Sequence, residues 1–266
     1  STNGIPINDD FLEFLNLHRA ALQISFDGYA QEKQRMQPTI RYISQMIERI
    51  KSYPEIILSI NSVFTKPHVS ELSKSIIKMI ELEIPEIEFC LDILGNWDEE
   101  SLDIYRYELG KVASYLKANN DGSSRIPVSL FKRKKADRMF CCNQGENSLT
   151  IDTDGNIWGC YRFCDYFKLN RGGQDSRAFN FGNILNLDNI IEWIDQNGIE
   201  INRSFRTDRY MTSDHQYCFK CEYNRSCRIC PANSVLSTSS FWVVPEWQCK
   251  VNQLNHDLCH SFHRDH

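Results

Sequence analysis

Two hydrophobic periodicities alternate along the first 120 residues. Short apolar runs rich in β-branched and aromatic residues predict strands at 22–26, 56–64 and 87–91. Between them, apolar residues recur every three or four positions, as expected of amphipathic helices. These stripes are Ile40/Ile43/Ile47/Ile50, Leu72/Ile76/Met79/Ile80 and Leu102/Tyr105/Leu109/Val112/Leu116, with a weaker one at 11–17. Strands that alternate with helices predict an α/β fold with a parallel sheet, either a barrel or an open sheet. A strand end at 1–4 adds a fourth strand, which is still too few to close a barrel.

The pattern changes after residue 120. A turn-rich segment and the basic run 131–135 predict a solvated linker over 121–135. Residues 136–250 are rich in cysteine, glycine and asparagine, and a hairpin is predicted at 149–158, with Gly155 in its turn. A short helix is predicted at 187–194, and a frayed tail at 251–266.

Composition and charge exclude several classes of protein. The chain has 266 residues, 41% of them hydrophobic, and a net charge of −5, which does not indicate a nucleic-acid partner. No apolar run is long enough to cross a membrane, and from the first residues given we expect no export signal. The eleven cysteines are odd in number. We therefore expect reduced, metal-binding thiols in a cytoplasm rather than a disulfide framework.

The cysteines form an array with close, regular spacings. It reads Cys142-x12-Gly155-x4-Cys160, then Cys218-x2-Cys221-x5-Cys227-x2-Cys230, and finally Cys249. Thiolates gathered in this way bind soft metals. The five-residue gap between the two Cys-x2-Cys pairs favours interleaved iron–sulfur ligation over one zinc site, although zinc stays possible. Cys164 suits either a ligand or a packed thiol, and Cys90 is expected in the core.

This array resembles the SPASM domain, the C-terminal extension of radical S-adenosylmethionine enzymes that modify peptides and proteins. The segment Phe181-Gly182-Asn183-Ile184 resembles an element that these proteins carry between the two halves of the array. In the first half, 2–4, 24–28 and 60–63 resemble the third, fourth and fifth strands of their barrel. The resemblance implies a partial (β/α)6 barrel, from about the third strand on, over 1–120. A linker (121–135), a small SPASM domain with a hairpin and short helices (136–250) and a tail (251–266) follow.

The resemblance also implies cofactors and ligands. Two auxiliary [4Fe-4S] clusters are expected, the first held by Cys142, Cys160 and Cys230 and the second by Cys218, Cys221, Cys227 and Cys249. The x2 spacing before Cys230 departs from the family's usual x3. The fourth ligand of the first cluster stays open among Cys141, Cys164 and an iron without a cysteine. The residues expected to contact S-adenosylmethionine in the full-length enzyme are Ser25, Asp27, Arg35 and Asn61.

Two departures bear on activity. The Cys-x3-Cys-x2-Cys motif that holds the family's catalytic cluster is absent, so the chain as given is expected to be an inactive fragment. The sulfatase-maturing members carry an aspartate directly after the cysteine that matches Cys160, where this chain has Tyr161; Asp165 is the nearest alternative. The expected partners are a peptide or protein substrate and a reductant such as ferredoxin or flavodoxin. A zinc-stabilised binding module without redox chemistry and a catalytically degenerate paralogue remain alternatives.

Overall fold

The computed structural model describes most of the chain, in two compact units. The described residues are 1–35, 37–119, 125–132, 149–168, 180–187, 192–193, 196, 218, 220–224, 227, 229–239 and 243–264; at 165–168, 231 and 235 the description covers the backbone alone. The first unit comprises Ser1–Lys134 and Leu254–His266, and the second comprises Lys135–Gln253.

The first unit is a parallel sheet whose strands alternate with helices. Its elements are α1 (Asp9–Leu17), β1 (Ala21–Ser25), α2 (Gln31–Gln34), α3 (Ile40–Lys51), β2 (Ile57–Phe64), α4 (Leu72–Glu81), β3 (Ile87–Leu91) and α5 (Glu99–Asn119). The strand order is β1-β2-β3, all parallel. Thr2 forms a parallel bridge to Ile24, where the sequence predicts a strand end. The predicted α/β fold with a parallel sheet is confirmed.

Local capping and apolar stripes explain where the helices form. Asn8 precedes α1, and its side chain accepts a hydrogen bond from the backbone N–H of Phe11. Thr39 caps α3 in the same way through Tyr42. The predicted stripe on α3 is buried at Ile43, Ile47 and Ile50, together with Met46. Packing of these apolar faces, more than helix propensity, holds short helices in place.

The two faces of the sheet differ in chemistry. Parallel strands are usually apolar on both faces because helices cover both. Along β2, however, buried and half-buried positions alternate strictly after the exposed first residue. The buried face carries Leu22, Ile24, Leu58, Ile60 and Ile87, and the other face carries Gln23, Ser25, Ser59, Asn61 and Glu88. At these ten positions, one face of the sheet packs into the core and the other presents polar side chains.

Part of the segment that we predicted to be a linker belongs to the first unit instead. Val128 forms a parallel bridge to Ile87 at the edge of β3, and both Val128 and Phe131 are fully buried. Lys132, expected on a solvated basic face, forms an ion pair with Glu86. Burial of Val128 and Phe131 thus outweighs the turn-forming and basic residues on either side of them. Residues 120–124 and 133–148 lie outside the described residues.

The C-terminal residues are helical rather than frayed. Helix α8 spans Glu246–Arg264. Phe262 is buried, with its ring centroid 4.9 Å from that of Phe131, and the His263 Nε2 atom lies 2.9 Å from the Phe131 carbonyl oxygen. The Tyr105 hydroxyl donates a 2.6 Å hydrogen bond to Asn255 Oδ1. Long-range contacts that a local pattern does not reveal therefore order this segment.

We expect Tyr105→Phe to lower the free energy of unfolding by about 1–2 kcal/mol, because Asn255 Oδ1 loses its buried donor. Tyr107→Phe is the matched control on the same helix, since its side chain is 66% exposed, and its effect should stay within about 0.5 kcal/mol. Urea unfolding followed by circular dichroism measures both. Equal effects of the two substitutions would contradict a stabilising role for the Tyr105–Asn255 bond.

The second unit contains a small antiparallel sheet and short helices. Its described elements are β4 (Thr150–Ile151), β5 (Asn156–Trp158), α6 (Tyr161–Lys168), β6 (Asn180–Asn183) and α7 (Pro231–Thr238). The predicted hairpin is present as β4–β5. Gly155 has φ +81°, and a Cβ there would lie 2.9 Å from Asn183 Oδ1, so only glycine fits the turn. The predicted helix at 187–194 lies largely outside the described residues.

Two further observations concern the chain as a whole. Each described cysteine is a thiol rather than half of a disulfide. Among the described residues, no helix combines the length and the hydropathy that crossing a membrane requires. Cys90, expected in the core, is half-buried on β3.

Candidate functional site

A row of polar side chains crosses the sheet at the end of β1. Ser25 pairs with Asn61 on β2, and Asn61 pairs with Glu88 on β3. Adjacent strands lie about 4.8 Å apart, so the three residues are neighbours on the polar face. Ser25 and Asn61 are two of the residues predicted to contact S-adenosylmethionine. Glu88 is not among the candidates named from the sequence. A charged residue inside the apolar run 87–91 is the signal that could have identified it.

A buried carboxylate organises the loop that follows β1. Asp27 is 1% exposed. Its Oδ2 accepts hydrogen bonds from Arg35 Nε at 2.5 Å and from Gln34 Nε2 at 3.1 Å. Its Oδ1 accepts from Arg35 Nη2 at 3.2 Å and from the Val63 backbone N–H at 2.9 Å. The structure thus brings Asp27 and Arg35 together, as an ion pair that also ties the loop to β2.

The adjacent glycine explains why this loop has its conformation. Gly28 has φ +58°, in the left-handed region that favours glycine. A Cβ there would lie 2.4 Å from Ser75 Cβ on α4, too close for any side chain to be accommodated. The same serine accepts a 2.9 Å hydrogen bond from the Tyr29 backbone N–H. Because Gly28 has no side chain, the loop after Asp27 can pack closely against α4.

In the second unit, the pKa of the Cys227 thiol depends on burial and on the three other thiols predicted to hold the second cluster. Burial raises the pKa of the Cys227 thiol to about 11, against a hydrogen bond from Asn252 that lowers it. Cys249, Cys218 and Cys221 raise this pKa further. Burial also raises the pKa of Cys249, and Cys221 adds to that effect. A 3.3 Å hydrogen bond from Asn252 Nδ2 to Cys227 Sγ joins the helix that carries Cys249 to the segment that carries Cys227.

Local backbone geometry supports part of this arrangement. The Cys221 N–H donates to the Cys218 carbonyl at 3.3 Å, which is the turn expected of a Cys-x2-Cys pair, and the Cys227 N–H donates to the Tyr223 carbonyl at 2.8 Å. Cys249 lies in the first turn of α8. One helix and one looped segment thus contribute the four thiols.

Three cysteines related to the first predicted cluster share the core of the second unit. Cys160 and Cys164 are buried in a cluster with Trp158, Phe163 and Ala232, and Cys230 packs against it. Cys164 follows Cys160 by one helical turn, so it is positioned as a candidate fourth ligand. Cys141 and Cys142, which complete the predicted set, lie outside the described residues, as does the side chain of Asp165.

The residue after Cys160 differs in chemistry from an aspartate. Tyr161 is exposed, and its hydroxyl accepts a 3.0 Å hydrogen bond from Arg162 Nε. Arg162 also donates to Asn233 Oδ1 on α7. In place of a carboxylate, this position therefore has a phenol hydrogen-bonded to a guanidinium. The guanidinium of Arg162 links α6 to Asn233 on α7.

The described thiols do not form a ready-made binding site for a single metal ion. In the ranges that the structure describes, no three His, Cys, Asp or Glu side chains are close enough together to hold a metal ion as they stand. The donor set predicted for the second cluster is Cys218, Cys221, Cys227 and Cys249. As an all-sulfur donor set, they fit an iron–sulfur cluster or zinc.

Comparison with solved structures identifies the fold. No protein-family model and no curated protein matches the chain. A structure of anSMEcpe with a polyhistidine tag and bound AdoMet has TM-score 0.68 and 17% identity, over 97% of this chain and 68% of that one. Native anSMEcpe with bound AdoMet has TM-score 0.68 and 18% identity, over 99% and 74%. With AdoMet and the Cp18Cys peptide bound, it has TM-score 0.64 and 16% identity, over 99% and 75%.

At this level of identity the likeness shows the fold. In these structures anSMEcpe binds AdoMet and, in one of them, a peptide, the two kinds of ligand that the resemblance implies. The resemblance that the cysteine array and the strand motifs predict is therefore confirmed at the level of the fold.

Proposed function

We propose that this chain is the C-terminal part of a radical S-adenosylmethionine enzyme that modifies a peptide or protein, and that its second unit binds two auxiliary [4Fe-4S] clusters. The observation that carries the proposal is the hydrogen bond to Cys227 Sγ from Asn252, on the helix that also carries Cys249, together with the backbone turn from Cys218 to Cys221, in a fold shared with anSMEcpe. Sulfur ligands in interleaved Cys-x2-Cys pairs are typical of iron–sulfur proteins.

The polar face of the sheet is the proposed binding surface for the cofactor and the substrate. Ser25 and Asn61 are side by side on it, in the row that Glu88 completes. Arg35 is held by Asp27 and is one-third exposed, which leaves part of its guanidinium open to a ligand carboxylate. When bound, S-adenosylmethionine would supply the radical that starts the reaction.

The role of Asp27 is then to position rather than to bind. Both of its carboxylate oxygens are occupied by protein donors. It fixes the direction of the Arg35 side chain and the path of the loop after β1. Its predicted direct contact with S-adenosylmethionine stays a prediction.

The substrate and the electron donor follow from the same proposal. Neighbours of the same fold were solved with bound peptides, and we propose a peptide or protein substrate here. A small electron carrier such as ferredoxin or flavodoxin is the proposed reductant, in a cytoplasm where thiols stay reduced. Because Cys-x3-Cys-x2-Cys does not occur in these 266 residues, we do not assign radical formation to them alone.

Anaerobic reconstitution with iron and sulfide tests the clusters. We expect a brown protein with about eight irons per chain, as two four-iron clusters require. Metal analysis and electron paramagnetic resonance of the reduced protein measure the content and type of cluster. A colourless product that holds only zinc would overturn the proposal in favour of a zinc-stabilised binding module.

A further inference from the structure

Two neighbouring amides on α8 donate hydrogen bonds to two of the four sulfurs predicted to hold the second cluster. Asn252 Nδ2 lies 3.3 Å from Cys227 Sγ, and Gln253 Nε2 lies 3.6 Å from Cys249 Sγ. Both distances suit N–H donation to sulfur, whose radius is larger than that of oxygen. The first bond joins the helix to the looped segment, and the second stays within the helix.

The helix geometry explains why both amides reach sulfur. Asn252 and Gln253 follow Cys249 by three and four positions, so they lie on the same side of the helix as that cysteine. Both side chains are half-buried. Asparagine is a poor helix former, and its place inside a helix calls for a reason other than propensity. Donation to Cys227 Sγ supplies one.

We infer that Asn252, assisted by Gln253, raises the reduction potential of the cluster held by Cys218, Cys221, Cys227 and Cys249. This inference rests on the proposed function, because it concerns a cluster that the proposal places there. Reduction adds negative charge to a cluster and its thiolates. An N–H donor aimed at a ligand sulfur stabilises the more negative form more strongly, which shifts the potential upward.

The direction of the shift bears on what the cluster does. A cluster with a raised potential takes up an electron more readily. Two side-chain donors therefore suit a cluster that accepts one electron from a reacting substrate better than one that only anchors a peptide. Asn252 and Gln253 are positioning residues in this scheme, since they act through the sulfur ligands.

The test is a redox titration of the reconstituted chain, followed by electron paramagnetic resonance. Asn252→Leu keeps the size of the side chain and removes the donor. We expect the ratio of reduced to oxidised cluster at a fixed potential to fall about two- to tenfold; tenfold is about 59 mV for one electron. Gln253→Leu should shift the ratio less, because its bond is longer. Asn252→Gln retains an amide donor and should recover part of the shift.

The outcomes separate the inference from the proposed function. An Asn252→Leu variant that holds the normal amount of iron at an unchanged potential would overturn the inference alone. Failure of the unaltered chain to form any iron–sulfur cluster would overturn both. If Asn252→Leu does not retain its cluster, Gln253→Leu carries the same measurement at Cys249, and an unchanged potential there has the same consequence.

Discussion

Cys249→Ala is expected to remove about half of the iron that the chain binds after reconstitution, because a four-iron cluster that loses one of its cysteine ligands is no longer held at all four irons. Asn252, one turn after Cys249 on the same helix, donates a hydrogen bond to Cys227 Sγ, which supports the assignment of Cys249 to the second cluster. The first proposed cluster, with Cys160 and Cys230 among its predicted ligands, should remain. Iron and sulfide analysis, with the electron paramagnetic resonance spectrum of the reduced protein, measures the loss.

Cys259→Ala is the matched control for that experiment. Cys259 lies on the same helix and is also half-buried, but it stands outside the cysteine array. This variant should keep its full complement of iron. In a zinc site made of the two Cys-x2-Cys pairs, Cys249→Ala would leave the metal in place. Retention of all bound metal by Cys249→Ala would therefore contradict the cluster assignment.

Asp27→Ala is expected to lower the free energy of unfolding by about 3 kcal/mol, the lower end of the cost of breaking a buried ion pair, because Asp27 is buried while Arg35 is partly exposed. The substitution leaves the Arg35 guanidinium, the Gln34 amide and the Val63 N–H without their common acceptor. It thereby releases the loop after β1 from β2. Urea unfolding of the variant and of the unaltered chain under the same conditions measures the difference.

An exposed ion pair supplies the comparison. Glu55 pairs with Arg19 at 3.1 Å, and both side chains are at least half exposed. Glu55→Gln should change the free energy of unfolding by less than about 1 kcal/mol, because water screens such pairs. If Asp27→Ala costs no more than Glu55→Gln, then Asp27 does not organise the loop, and its predicted role as a direct ligand contact gains support.

The periodic elements were predictable because their signals are local. The runs at 22–26, 56–64 and 87–91 became β1, β2 and β3 with ends shifted by at most one residue. The apolar stripe of α3 became its buried side. Each of these patterns depends only on residues within a few positions of one another, and periodicities of two and 3.6 residues report directly on which side faces the core.

The segments that departed from prediction are those that distant contacts stabilise. Val128 and Phe131 lie in a segment of basic and turn-forming composition, yet both are buried against the first unit. Phe262, in a histidine-rich stretch, is buried beside Phe131. A few buried apolar residues hold both segments in place. Composition averaged over a window does not reveal them, because polar residues outnumber them.

For the functional site, spacing along the chain by itself determined which cysteines are candidates for metal binding, because paired thiols at Cys-x2-Cys spacing can turn toward one centre within a single loop. Only the tertiary structure decided that Asn252 donates to Cys227 and that Glu88 continues the row of Ser25 and Asn61. Helix contacts with a separate loop and the register of parallel strands join residues far apart in sequence. Such pairings depend on packing of the whole unit, and no local pattern records them.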